Sequence, residues 1–84
     1  MRLILLIGGV NVEVIVGEVY HHFKGNDYIV KGIASSSDDP NQQYIVYEDL
    51  ETHKLWVRRY EEFVEELPIS KYPHVKQKFR FELV

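Results

Sequence analysis

Apolar and polar residues alternate at period two along much of this chain. Val10, Val12, Val14 and Val16 interleave with Asn11, Glu13 and Ile15, the spacing of a strand whose successive side chains point to opposite faces. The alternation predicts one long strand from Val10 to Phe23, bent or bulged at Gly17, where a missing Cβ permits the kink. Gly8-Gly9 separates that strand from the apolar run Leu3–Ile7 and suits a tight hairpin turn. Further strands follow over Tyr28–Ala34, Tyr44–Asp49 and Leu55–Arg59, punctuated by Lys24–Asp27, by the long polar loop Ser35–Gln43 and by Glu51–Lys54. The period then changes. Tyr60, Phe63, Val64 and Leu67 fall at i, i+3, i+4 and i+7 with glutamates between them, which predicts a two-turn amphipathic helix stopped by Pro68. Phe79, Phe81 and Leu83 alternate with Lys78, Arg80 and Glu82 in a closing strand.

The residue inventory supports this reading. Eleven Val and seven Ile stand against one Ala and seven Leu, and β-branched side chains favour a pleated surface. The expected class is all-β with one short helix: a small, partly open β-barrel of five to six strands, SH3-like in outline. Eighty-four residues make one domain. Within it, residues 1–16 read as an N-terminal β-hairpin extension and residues 17–84 as the barrel. Leu3–Ile7 lacks polar alternation and needs cover on both faces, either from the helix and its loops or from a homodimer contact. Five apolar residues are too few for a signal core or a membrane span, so the expected location is cytoplasmic with no membrane partner.

Charge and composition narrow the chemistry. A net charge of −3 argues against a protein built around phosphate backbones. The charge is nonetheless segregated: nine acids against three bases over Ser37–Glu66 give −6, and four bases against one acid over Lys71–Val84 give +3. On the closing strand, however, alternation sets Phe79 and Phe81 opposite Lys78 and Arg80, core-in and charge-out. The absence of cysteine removes disulfides, thiolate metal sites and cysteine nucleophiles. No phosphate-binding glycine loop, zinc-protease helix or nucleophile elbow occurs. His21 and His22 point to opposite faces of a strand, while His53 and His74 fall in loops, so neither a metal site nor a cofactor is expected. Glu61, Glu62, Glu65 and Glu66 read as the wet face of the helix.

The aromatic residues supply a candidate surface. At the end of the long Val10–Phe23 strand Tyr20, His22 and Lys24 share a face, and on the later strand Trp56 and Arg58 share one, opposite Leu55 and Val57. The aliphatic sides are expected to face the core. Tyr, His, Trp and Arg dominate binding hot spots, so Tyr20, His22, Lys24, Trp56 and Arg58 are the candidate binding residues, with Trp56 partly exposed.

The same pieces carry a resemblance. Tyr20-His21-His22-Phe23-Lys24-Gly25, the Tyr28-x-Val30-x-Gly32-Ile33-Ala34 segment, Val46-Tyr47, Leu55-Trp56-Val57-Arg58 and Phe63 resemble domain of unknown function 1653, over roughly Gly17 to Leu67. Departures lie at Arg59, where the family usually has proline, at Ser35–Asp38, where it often has a His-Ser/Thr-Glu run, and at Glu48, where a basic residue is common. The resemblance implies a bacterial or phage origin and no known activity. Together these readings lead to an expected non-catalytic binding module for an unknown protein or peptide. The alternatives are a small enzyme using His22 with Tyr20, Lys24 or Arg58, and a weak nucleic-acid-binding module.

Overall fold

The structure, a computed structural model, describes residues 2–7 and 10–84, with side chains from Glu13 onward. Strands β1 (Arg2–Ile7) and β2 (Val10–Ile15) pair antiparallel, Arg2 opposite Ile15 and Ile7 opposite Val10. The Gly8-Gly9 turn expected between them lies outside the described residues. Strands β3 (Val19–His22), β4 (Asp27–Ser35), β5 (Gln43–Asp49), β6 (Leu55–Arg59) and β7 (Phe81–Leu83) form a second, wholly antiparallel sheet in the order β6-β5-β4-β3-β7. A single helical turn, α1 (Tyr60–Phe63), follows β6 directly. The chain is therefore all-β with one short helix, and the five-stranded sheet does not close, leaving β6 and β7 as its edges.

Two elements differ from the pattern-based expectation. The run from Val10 to Phe23 is two strands in two sheets, which brings the described strands to seven. Gly17 takes φ +94°, a left-handed conformation that glycine adopts without Cβ strain. Its N–H donates to the carbonyl of Val30 at 2.8 Å, which leads the chain off the β1–β2 ladder and onto β4. The helix is one turn rather than two. Val64 sits at φ −95°, ψ 8°, and the next residues are claimed by a different partner. The Leu67 N–H donates to Lys78, the Arg80 N–H donates to Glu65, both at 2.8 Å, and Glu66 bridges Phe79. The apolar set is nonetheless the expected one, because Tyr60, Phe63, Val64 and Leu67 are all buried.

The core is more aromatic than the Val and Ile count suggests. Phe63 lies face to face with Phe81, ring centroids 4.1 Å apart and planes 7° from parallel. Tyr20 and Tyr47 meet Phe63 edge-on at 5.6 and 5.5 Å, an arrangement that suits the ring quadrupoles. Val14, Val30, Ile45, Tyr60 and Val64 pack with these rings in the buried cluster. The core side of β6 is the reverse of the one expected. Trp56 stands opposite Tyr47 and Arg58 opposite Ile45 across the β5–β6 ladder, and directly opposed residues share a face. Tyr47 and Ile45 are buried, so Trp56 and Arg58 are on the core side, while Leu55 and Val57 are 60% and 64% exposed. Among the described residues no helix is long and apolar enough to cross a membrane.

Candidate functional site

Every strand of the five-stranded sheet contributes to one open cavity of about 340 Å³. β3 supplies His22, β4 Tyr28, β5 Tyr47, β6 Trp56 and Arg58, and β7 Phe81, with Lys24 and Asn26 reaching in from the turn after β3. That turn is set by Gly25 at φ +117°, whose N–H donates to the His22 carbonyl at 2.8 Å. The aromatic walls support one another: Tyr28 meets Tyr47 edge-on at 5.2 Å, and Phe81 meets Tyr47 at 5.3 Å.

His22 sits against this wall, edge-on to Phe81 at 4.7 Å. The Lys24 backbone N–H donates to His22 Nδ1 at 3.1 Å, which leaves the ring proton on Nε2. Burial lowers its pKa to about 4, and the nearby charges of Arg58, Arg80, Lys24 and His21 push in the same direction. At neutral pH the ring is therefore an uncharged donor in a positive environment. Arg58 is loosely held. Its Nε donates to the Tyr47 hydroxyl at 3.4 Å, and its Nη1 lies 3.5 Å from Glu62, both at the limit of a useful bond. The tight partner of Glu62 is Arg59, at 2.6 Å. Lys24 pairs with no carboxylate among the described residues; its ammonium lies 5.8 Å from the centroid of the Phe23 ring. Trp56 is 42% exposed, with the Lys54 ammonium 4.2 Å above its ring.

Four of the five candidate residues, His22, Lys24, Trp56 and Arg58, meet at this cavity. Tyr20 does not. It is buried on the core side, and its hydroxyl accepts from the Ile15 N–H at 3.0 Å and donates to the Glu13 carbonyl at 3.4 Å. Tyr20 fastens β2 to the core rather than offering a recognition surface, and burial raises its pKa. Sequence reasoning missed Asn26, Tyr28, Tyr47 and Phe81. One signal was legible: Gly32 within an apolar strand marks the bulge between Val30 and Gly32, where the β4–β5 register shifts. Asn26 is held by Asp49, whose carboxylate accepts from Asn26 at 3.2 Å and from the Glu51 and Thr52 N–H groups at 2.8 and 3.1 Å. Those backbone bonds lower the Asp49 pKa. Among the described residues no group of three or more His, Asp or Glu is placed to hold a metal ion.

Residues 18–83 match the family described as Protein of unknown function (DUF1653). The chain belongs to that family. The match runs past Leu67 into β7, so the DUF1653 region includes Phe81 and every other residue lining the cavity. No curated protein and no solved structure matches the chain.

Proposed function

We propose that this chain is a non-catalytic binding module that recognises a protein or peptide through the cavity bounded by His22, Lys24, Trp56 and Arg58. The observation that carries the reading is convergence: aromatic walls and two cations without a tight acidic partner among the described residues meet at one open site. Such rings beside loosely held cations suit recognition. The enzyme reading, with His22 as base, has less support. Among the described residues no carboxylate hydrogen-bonds to its ring, Tyr20 is turned towards β2, and a histidine with its pKa lowered to about 4 is a weak base at neutral pH. The bacterial setting implied by the family and the cytoplasmic location expected from the sequence belong to the same proposal.

Trp56 is the sole tryptophan, so its emission reports the site directly. Peptides selected from a random display library on the immobilised chain should change that emission saturably and compete with one another. If no peptide of any composition perturbs Trp56 or His22, the protein-or-peptide reading is lost.

A further inference from the structure

β6 is an edge strand whose two faces offer different chemistry. Leu55 and Val57 are exposed on one face, and Trp56 and Arg58 border the cavity on the other. An unpaired edge is a template for another strand, and proteins that avoid such pairing protect it with charge. Here the charges from residue 54 to 59 are all of one sign, Lys54, Arg58 and Arg59; Arg59 is tied to Glu62 at 2.6 Å, which leaves Lys54 and the loosely held Arg58. An antiparallel second copy of β6 would bring these cations together. β1, whose charged residue is Arg2, has no acid to offer either. The edge thus repels a second copy of β6 and complements an acidic strand.

We propose that the partner is an acidic, extended peptide segment that adds to β6 as a further strand. Its glutamate or aspartate side chains project on the cavity side towards Lys24 and Arg58, and its alternate aliphatic side chains cover Leu55 and Val57. Strand addition accounts for both faces at once, since residues directly opposed across a ladder share a face. The loose Arg58 contacts at 3.4 and 3.5 Å leave its guanidinium free to turn towards a carboxylate. The inference rests on the peptide-binding reading and specifies the partner's charge, conformation and place.

The test is a titration of the full chain, followed by backbone amide and Trp56 indole NMR signals. The probe is a short acetylated, amidated peptide alternating glutamate with valine. Amides of β6 and the indole should shift together. Lys24→Gln and Arg58→Gln should each weaken binding about tenfold, the scale of a lost charge-assisted hydrogen bond. Lys24 lies on an exposed turn, so its variant stays informative even if Arg58→Gln perturbs folding. The lysine–valine counterpart should not bind, and N-methylation of the probe's pairing edge should abolish binding. Should the lysine version bind equally, or the N-methylated probe bind undiminished, strand addition of an acidic peptide is overturned while the peptide reading stands. Shifts confined to the cavity, with β6 amides unmoved, likewise overturn strand addition and leave peptide binding intact. A thymidine oligonucleotide producing these shifts where no peptide does overturns both.

Discussion

His22 shows how one side chain can report both the burial and the charge of its surroundings. A histidine held at about 4 in the native state and near 6.5 when unfolded takes up its proton later in the native protein. Its contribution to stability is therefore fully present above pH 6.5 and is lost as the pH falls towards 4. Unfolding free energy measured by denaturant should decline across that window, and His22→Gln should flatten the decline. An NMR titration placing the His22 midpoint near 6.5 contradicts this account. Binding of an anion between Lys24 and Arg58 should move the midpoint upward, because the neighbouring positive charges would then be offset. The convergence of these residues was half legible in the sequence. Alternation put His22 with Lys24, and Trp56 with Arg58, but only the register between β5 and β6 brings Trp56 beside Tyr47. That register is a long-range pairing, Tyr44 opposite Arg59 through Glu48 opposite Leu55, which alternation within either strand alone does not specify.

At the scale of elements, the periodicities identified faces better than they identified lengths or sides. The helical spacing of Tyr60, Phe63, Val64 and Leu67 picked out four buried residues, yet only one turn is helical because residues 65–67 hydrogen-bond to the segment before β7. That choice is tertiary, made by a partner more than ten residues away in sequence. On β6 the alternation is right and the core side is reversed. Aliphatic residues are not needed inward where Phe63, Phe81, Tyr47 and Tyr20 already fill the core, since aromatic rings bury more area each. The two observations predict opposite outcomes for similar-looking substitutions. Phe63→Ala removes a ring stacked on Phe81 and should cost about 3–5 kcal/mol. Val57→Thr, on the exposed face, should change stability by no more than about 0.5 kcal/mol. Chemical denaturation of the two variants checks both, and a large loss at Val57 contradicts the exposed placement of that face.

At the scale of the whole molecule, the N-terminal hairpin raises a question of belonging. The family match starts at residue 18, after β2 has ended, yet β2 gives Val14 to the core at 1% exposure. β2 also presents the Ile15 N–H and the Glu13 carbonyl to the Tyr20 hydroxyl. Removing residues 1–16 should therefore destabilise the remainder by about 1.5–3 kcal/mol for the lost Val14 burial alone. Sedimentation of the same pair of proteins separates the two covers expected for the apolar run Leu3–Ile7: with a homodimer contact the full chain associates and the shortened one does not, whereas cover by the helix and its loops leaves both monomeric. A double-mutant cycle isolates the bond to the hairpin. Tyr20→Phe keeps the ring against Phe63 and deletes only the hydroxyl, which should cost about 1 kcal/mol in the full chain. In the chain lacking residues 1–16 the hydroxyl has lost its β2 partners, and the same substitution should be close to neutral. If Tyr20→Phe costs the same in both backgrounds, the hydroxyl does not couple the hairpin to the sheet.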